Sequence, residues 1–113
     1  MNLIPETRIQ LSNGDVRLWR NNVGRLQDRT GKWVAYGLCV SSSDLIGFKS
    51  ILVTPDMVGC RLAVFVALEG KVGRDRLTQE QTAFIATVET MGGIAGEFRS
   101  VEQAREILGV NNG

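Results

Sequence analysis

The sequence predicts an α/β fold, an α+β mixed sheet flanked by helices, in a single domain spanning residues 1–113. Three observations point there. A chain of 113 residues suits one hydrophobic core. Apolar runs of strand length dominate up to residue 71, and helix-period apolar patterns follow. Turn residues separate the runs, so the order reads helix, strands, helix, strand, helix.

Pro5 before Glu6 suits the first turn of a short helix over 6–11, and "SNG" at 12–14 stops it. "DVRLWR" at 15–20 alternates as a strand does, and "NNVG" at 21–24 is a turn. "RLQDRTGK" at 25–32 reads as a loop, and "WVAYGL" as a short strand. A polar approach at 40–43 leads into a strand over 44–53, bent at Gly47. "TPDMVG" at 54–59 is turn chemistry. Residues 60–71, "CRLAVFVALEGK", read as a second long strand, nearly continuous in apolar residues and so buried on both faces. Thr78 and Gln81 form a capping box for a helix that carries Phe84, Ile85, Val88 and Met91 on one face and ends at Gly92 and Gly93. "IAGEFR" at 94–99 is a strand. Ser100 and Gln103 form a second capping box, before a helix with Val101, Ala104, Ile107 and Leu108 inward and a "GVNNG" tail.

Composition excludes more than it identifies. With 13 basic and 12 acidic residues the net charge is +1, so bulk charge does not announce a nucleic-acid partner. There is no histidine. Ser-His-Asp triads, Cys-His pairs and HExxH zinc sites all require one, which leaves carboxylates, lysine and a metal as the available catalytic tools. Cys39 and Cys60 match no zinc spacing and read as buried free thiols. No apolar run is long enough for a membrane span. "MNLIPETRIQ" lacks the regions of a signal peptide, so the expected compartment is the cytoplasm.

Glu69 and Lys71 flank Gly70, and residues two apart on a strand share a face. They read either as a solvated ion pair or as part of a site. If the turn at 54–59 joins neighbouring antiparallel strands, Asp44, ten positions before it, and Glu69, ten positions after it, meet at one sheet end beside Lys71. Two close carboxylates repel unless a cation lies between them, and Mg²⁺ favours such oxygen ligands. Lys71 would then stabilise charge on a phosphate or orient an attacking water.

Asp-(n)-Glu-x-Lys is the pattern of the PD-(D/E)xK nuclease superfamily, whose restriction-endonuclease-like core runs α-β-β-β-α-β. The words "ETRIQ", "RLWRNNVG", "YGL", "SSSDLIG", "VTPDMVG", "AVFVALEGK", "RLTQEQTAFI" and "GGIAGEFRSVEQA" follow one another from Glu6 to about Leu108. Together they resemble the virus-type replication-repair nuclease domain, VRR-NUC, in its small stand-alone bacterial and phage form. The resemblance implies a Mg²⁺-dependent endonuclease, with Mn²⁺ able to substitute, that cuts branched DNA such as four-way (Holliday) junctions as a homodimer. It implies a bacterial cell, with the chain encoded by the host, a phage or a prophage.

Carried over residue by residue, Asp44 in "SDLIG" matches the metal-binding Asp, and Glu69 and Lys71 match the E-x-K. The Gly70 carbonyl would be a further metal ligand, and Glu6 an acidic residue of the first helix that reaches the metal. Gln81 matches a polar residue of the following helix, beside its alternative reading as a cap alone. Arg20, Asn21 and Asn22 match the word "RNNVG" near the site, with Arg20 and Asn22 also readable as turn and surface groups. Arg74 and Arg76 either contact phosphates next to the site or lie in a solvated loop. Trp19 and Trp33 read as core residues rather than base-stacking platforms.

The sequence departs from the family at two places. Relatives have Val where this chain has Gly70, and the segment between Glu6 and Arg17 is shorter than usual. Gly70→Val is therefore expected to be tolerated and able to raise stability, since a β-branched residue suits a strand. A non-catalytic DNA-binding module on the same fold is the alternative function, against which the intact Asp44, Glu69 and Lys71 set argues. An unrelated interaction domain is a third. Paired incision of a junction needs two active sites, so a homodimer is expected, with apolar surface from the edge strand or from residues 25–40. A membrane partner is not expected.

Overall fold

Local chemistry sets most of the element boundaries. The computed structural model describes residues 3–39 and 42–110. Their order is helix, five strands, helix, strand, helix, a mixed α and β architecture. The strands pair as three two-stranded sheets. Two are antiparallel and one is parallel, where the sequence predicts a single mixed sheet. The chain divides into two compact units, Met1–Ile51 and Leu52–Gly113.

In the first unit, helix α1 (Leu3–Leu11) begins three residues before the expected start, with Pro5 in its first turn and the Thr7 hydroxyl donating to the Leu3 carbonyl at 2.6 Å. The expected stop at 12–14 holds: the Ser12 hydroxyl turns to accept the Leu18 N–H at 3.0 Å, which ties the helix end to β1 (Val16–Arg20). Strand β1 pairs antiparallel with β4 (Leu45–Lys49), Leu18 facing Gly47. A Cβ at Gly47 would collide with the Arg17 carbonyl, so glycine is required there by close strand approach. Trp19 packs on Phe48 with ring centroids 5.8 Å apart.

Residues 25–32 are not a plain loop. Strand β2 (Gly24–Gln27) pairs with β3 (Trp33–Tyr36) in a hairpin. Its turn is organised by a side chain: Asp28 Oδ1 accepts from the Thr30 N–H at 2.8 Å, the Thr30 hydroxyl at 2.6 Å and the Lys32 N–H at 3.0 Å. Those bonds, the Thr30 hydroxyl foremost, hold the Asp28 carboxyl below its ordinary value. Every side chain of β3 is exposed, Trp33 included, so Trp33 is not a core residue as expected. Trp19 is half-buried.

In the second unit, β5 (Val66–Gly70) runs parallel to β6 (Ile94–Phe98), with α2 (Gln79–Thr90) as the crossover. Helix α3 (Val101–Leu108) follows, and both helices contact β6. The long strand expected over 60–71 is shorter, and Leu62, Val64 and Val66 are exposed. Its ladder ends where the Phe65 carbonyl accepts the Ile94 N–H at 2.9 Å, because β6 extends no further. Val88 of α2 is the fully buried side chain of this unit, at 1% exposure.

The capping box of α2 forms as expected: Thr78 Oγ1 accepts the Gln81 N–H at 3.0 Å, and Gln81 Oε1 accepts the Thr78 N–H at 2.9 Å. The second box forms by half. Ser100 Oγ accepts the Gln103 N–H at 3.1 Å, but Gln103 Oε1 takes the Arg99 N–H at 2.6 Å, one residue outside the cap. Val101, expected inward, is exposed, while Ala104, Ile107 and Leu108 are half-buried. Both cysteines are free and exposed, Cys39 after β3 and Cys60 after the 3-10 turn Pro55–Met57, so neither is a buried thiol. The approach at 40–43 and the tail at 109–113 lie partly outside the described residues.

Candidate active site

Glu69 is the fourth residue of β5, and Lys71 follows the strand's last residue. The strand's alternation would end at Gly70, but the Lys71 N–H donates to the Phe98 carbonyl at 3.1 Å, which extends the ladder by one residue. Glu69 and Lys71 therefore share a face. Lys71 Nζ lies 3.7 Å from Glu69 Oε1, an ion pair rather than a hydrogen bond. The Lys71 side chain is only 14% exposed, against 36% for Glu69. Its stem is covered and its ammonium is held at the carboxylate, the arrangement expected of a long side chain with a fixed head.

Gln81 joins the same oxygen. Its Nε2 donates to Glu69 Oε1 at 2.7 Å while its Oε1 caps the helix through Thr78. Gln81 thus caps the helix and contacts Glu69 with one side chain, and the two bonds together set which way its amide faces. Glu69 Oε1 carries both contacts, which leaves Oε2 without a hydrogen bond among the described residues. Beside the carboxylate lies a cavity of about 340 Å³, lined by Ala67, Leu68, Glu80, Phe84 and Ile85 as well as Glu69 and Gln81.

Asp44 belongs to the first unit; Glu69, Lys71 and Gln81 belong to the second. The hairpin expected to join residues 44–53 to 60–71 is not among the strand pairs: β4 pairs with β1, and β5 with β6. Asp44 is exposed, immediately before β4, and its carbonyl accepts the Asn21 N–H at 2.8 Å. Asn21 is the buried polar residue of that unit, 8% exposed. Its Nδ2 donates to Ser42 Oγ at 2.6 Å and to the Ser43 carbonyl at 3.0 Å, and its Oδ1 accepts the Leu38 N–H at 3.0 Å. Of the word "RNNVG", the second residue, Asn21, does the positioning. Arg20 and Asn22 are exposed, Arg20 facing Leu45 across the ladder. Glu6 is exposed on α1.

Arg74 and Arg76 are exposed on the loop after β5 and, with Gly73 and Arg99, line a second cleft of about 560 Å³. Arg99 was not singled out by sequence. The available signal was its position two residues after Glu97, the spacing of a same-face pair on a strand; the pair forms at 2.9 Å.

Within either unit, no three His, Cys, Asp or Glu side chains gather among the described residues. The second unit's donors are nonetheless hard oxygens, a carboxylate with a free Oε2 and the adjoining Gly70 carbonyl. Mg²⁺ commonly takes one or two carboxylates and completes its shell with water and substrate phosphate, so these donors fit it in kind. No helix among the described residues is long and apolar enough to cross a membrane. No family model matches the chain, and no curated protein or solved structure matches it.

Proposed function

We propose that the chain is a Mg²⁺-dependent, structure-specific endodeoxyribonuclease acting on branched DNA such as four-way junctions. The observation that carries the reading is the Glu69, Lys71 and Gln81 cluster at the end of β5, with Lys71 Nζ and Gln81 Nε2 both directed at Glu69 Oε1. A lysine whose stem is covered costs side-chain freedom, and a solvated surface pair gains little in return. A site that must hold an ammonium beside a carboxylate has reason to fix both.

Glu69 Oε2 and the Gly70 carbonyl would hold the ion, with Asp44 and Glu6 assigned on the resemblance alone. The ion, when bound, supplies positive charge to the scissile phosphate and acidity to a bound water. Gln81 holds Glu69 by Oε1, which restrains rotation of the carboxylate and leaves Oε2 available for the ion. Lys71 orients the attacking water or neutralises charge developing on the phosphate. Water attacks phosphorus and gives up a proton to solvent, the P–O bond to the leaving sugar oxygen breaks, and that oxygen takes a proton from solvent. Arg74 and Arg76, and Arg20 and Asn22 in the other unit, are assigned to the DNA backbone.

A homodimer belongs to the same reading. Leu26, Trp33, Val34, Tyr36 and Leu38 are all exposed along the β2–β3 hairpin and its exit, within the region expected to supply dimer surface. Incubating the purified protein with junction, flap and duplex DNA, with Mg²⁺ or with EDTA, tests the reading. Metal-dependent incision that favours the junction is the expected result, and binding without incision would favour the non-catalytic alternative.

A further inference from the structure

The loop from Lys71 to Arg76 reads "KVGRDR": three cations and one anion in six residues. Left free, such a loop would present its arginines in many conformations, and ordering them on a ligand would cost binding free energy. Here it is stitched at both ends. At its base the Lys71 N–H donates to the Phe98 carbonyl at 3.1 Å, and within it the Asp75 N–H closes a turn on the Val72 carbonyl at 3.1 Å. At its tip, Arg99 Nη1 donates to the Gly73 carbonyl at 2.9 Å and Nη2 to the Asp75 carbonyl.

The planar guanidinium suits this task, since a rigid fork can take two carbonyls at once and an ammonium cannot do so with the same geometry. Arg99 is itself held. Its Nε donates to Glu97 Oε1 at 3.0 Å, and its own N–H is taken by Gln103 Oε1 at the start of α3. Glu97 offsets its charge, and all three of its guanidinium nitrogens are engaged. Arg74 and Arg76 differ. Both are exposed, and neither has an ion pair or hydrogen bond among the described residues.

We propose that Arg99 is a positioning residue: it clasps the 73–75 backbone so that Arg74 and Arg76 stand ready as a pair for the phosphodiester backbone of a nucleic acid. The inference rests on the DNA reading above but not on catalysis. Arg99 binds no phosphate; Arg74 and Arg76 do, without regard to base sequence.

The test has two arms. In the first, the folded protein without DNA is exposed briefly to trypsin. Arg99→Ala and Arg99→Lys are expected to accelerate cutting after Arg74 and Arg76, while cutting after Arg25 and Arg29 is unchanged. Equal acceleration at all four sites, or none, overturns the clasp. In the second, binding to a fluorescein-labelled four-way junction is followed by anisotropy in Ca²⁺, across a salt series. Arg74→Ala with Arg76→Ala is expected to lower the salt slope by about two, as the loss of two phosphate contacts requires. Arg99→Ala is expected to weaken binding about tenfold, the cost of ordering roughly one further residue. In the Arg74→Ala, Arg76→Ala background it is expected to add nothing.

Arg99→Lys, which keeps the charge, is expected to behave as Arg99→Ala; binding restored by lysine would overturn the proposal. So would a full additive loss in the double-mutant background, or a junction affinity indifferent to Arg74 and Arg76. Binding with the expected pattern but no incision in Mg²⁺ would sink the nuclease reading and leave this inference standing.

Discussion

Gln81 Nε2 donates to Glu69 Oε1 at 2.7 Å, and the same amide's oxygen accepts the Thr78 N–H at 2.9 Å. The helix cap and the carboxylate are therefore one structure. The cost of a cap and the cost of a misplaced site residue can be separated, because Thr78 takes part only in the first. Thr78→Ala is expected to destabilise the protein by about 1 kcal/mol, the usual cost of a lost N-cap, and to leave incision near wild type. Gln81→Ala is expected to cost a similar amount and also to lower the incision rate. Urea titrations and nicking assays on both variants check this, and equal incision by the two would remove Gln81 from the site.

The β5–β6 ladder bears on Gly70. The sequence resemblance alone leads to the expectation that Gly70→Val is tolerated. In the structure Gly70 faces Phe98 across the ladder, and an added Cβ would sit 3.0 Å from Phe98 Cζ. Valine adds two methyl groups beyond that point, so the ring must move. Gly70→Val is expected to destabilise by about 1–3 kcal/mol, the range for overpacking, and Phe98→Leu in the same chain to restore part of it. Thermal melts of the single and double variants decide between the two expectations.

Asn21 is expected to matter more to stability than its exposed neighbours Arg20 and Asn22. Asn21→Ala leaves the Leu38 N–H and the Ser43 carbonyl without their partner. Asn21 itself is buried while Leu38 and Ser43 are exposed, so the loss is expected near the low end of the range for unsatisfied groups, about 1 kcal/mol. Asn22→Ala is expected to cost less than about 0.5 kcal/mol, as surface changes do. Denaturant midpoints at constant slope measure both, and equal costs would contradict the role given to Asn21.

Asp28 makes the β2–β3 hairpin sensitive to acid. Its carboxyl is held below the ordinary aspartate value of 3.8, first by the Thr30 hydroxyl and next by the Lys32 N–H. A depressed folded value means that the ionised form stabilises the hairpin. That contribution is complete above 3.8 and is lost as pH falls through the lower folded value. Amide exchange at Thr30 and Lys32 is expected to accelerate in that window in the wild type and to show no such step in Asp28→Asn. Matching profiles for the two would refute the assignment.

Features written in neighbouring residues were legible in the sequence. Thr78 and Gln81, the stop after α1 and the helix–strand–helix order of the second unit all follow from local spacing. Features that depend on a partner were not. Residues 62–65 are apolar, but a strand extends only as far as its neighbour, and β6 begins at Ile94. Composition likewise placed Cys39, Cys60 and Trp33 inside, although burial belongs to what covers a residue. Strand β3 was legible, but its partner β2 and their pairing escaped because β2 is short and mostly exposed, and the turn is set by the Asp28 side chain rather than by an Asn-Gly pair. In the site, same-face spacing correctly paired Glu69 with Lys71. The clasp of Arg99 on Gly73 and Asp75 links residues more than 20 positions apart, which no local pattern records.

The most direct measurement of the central proposal is the rate of Mg²⁺-dependent incision of a four-way junction by the wild type, Glu69→Gln and Lys71→Ala, with folding of each checked by circular dichroism. Incision by the wild type that stops with EDTA is expected, with a loss of roughly 100-fold or more in each folded variant, the scale for removing transition-state charge stabilisation. A wild type without incision, or a folded Glu69→Gln or Lys71→Ala that cuts at the wild-type rate, would contradict it.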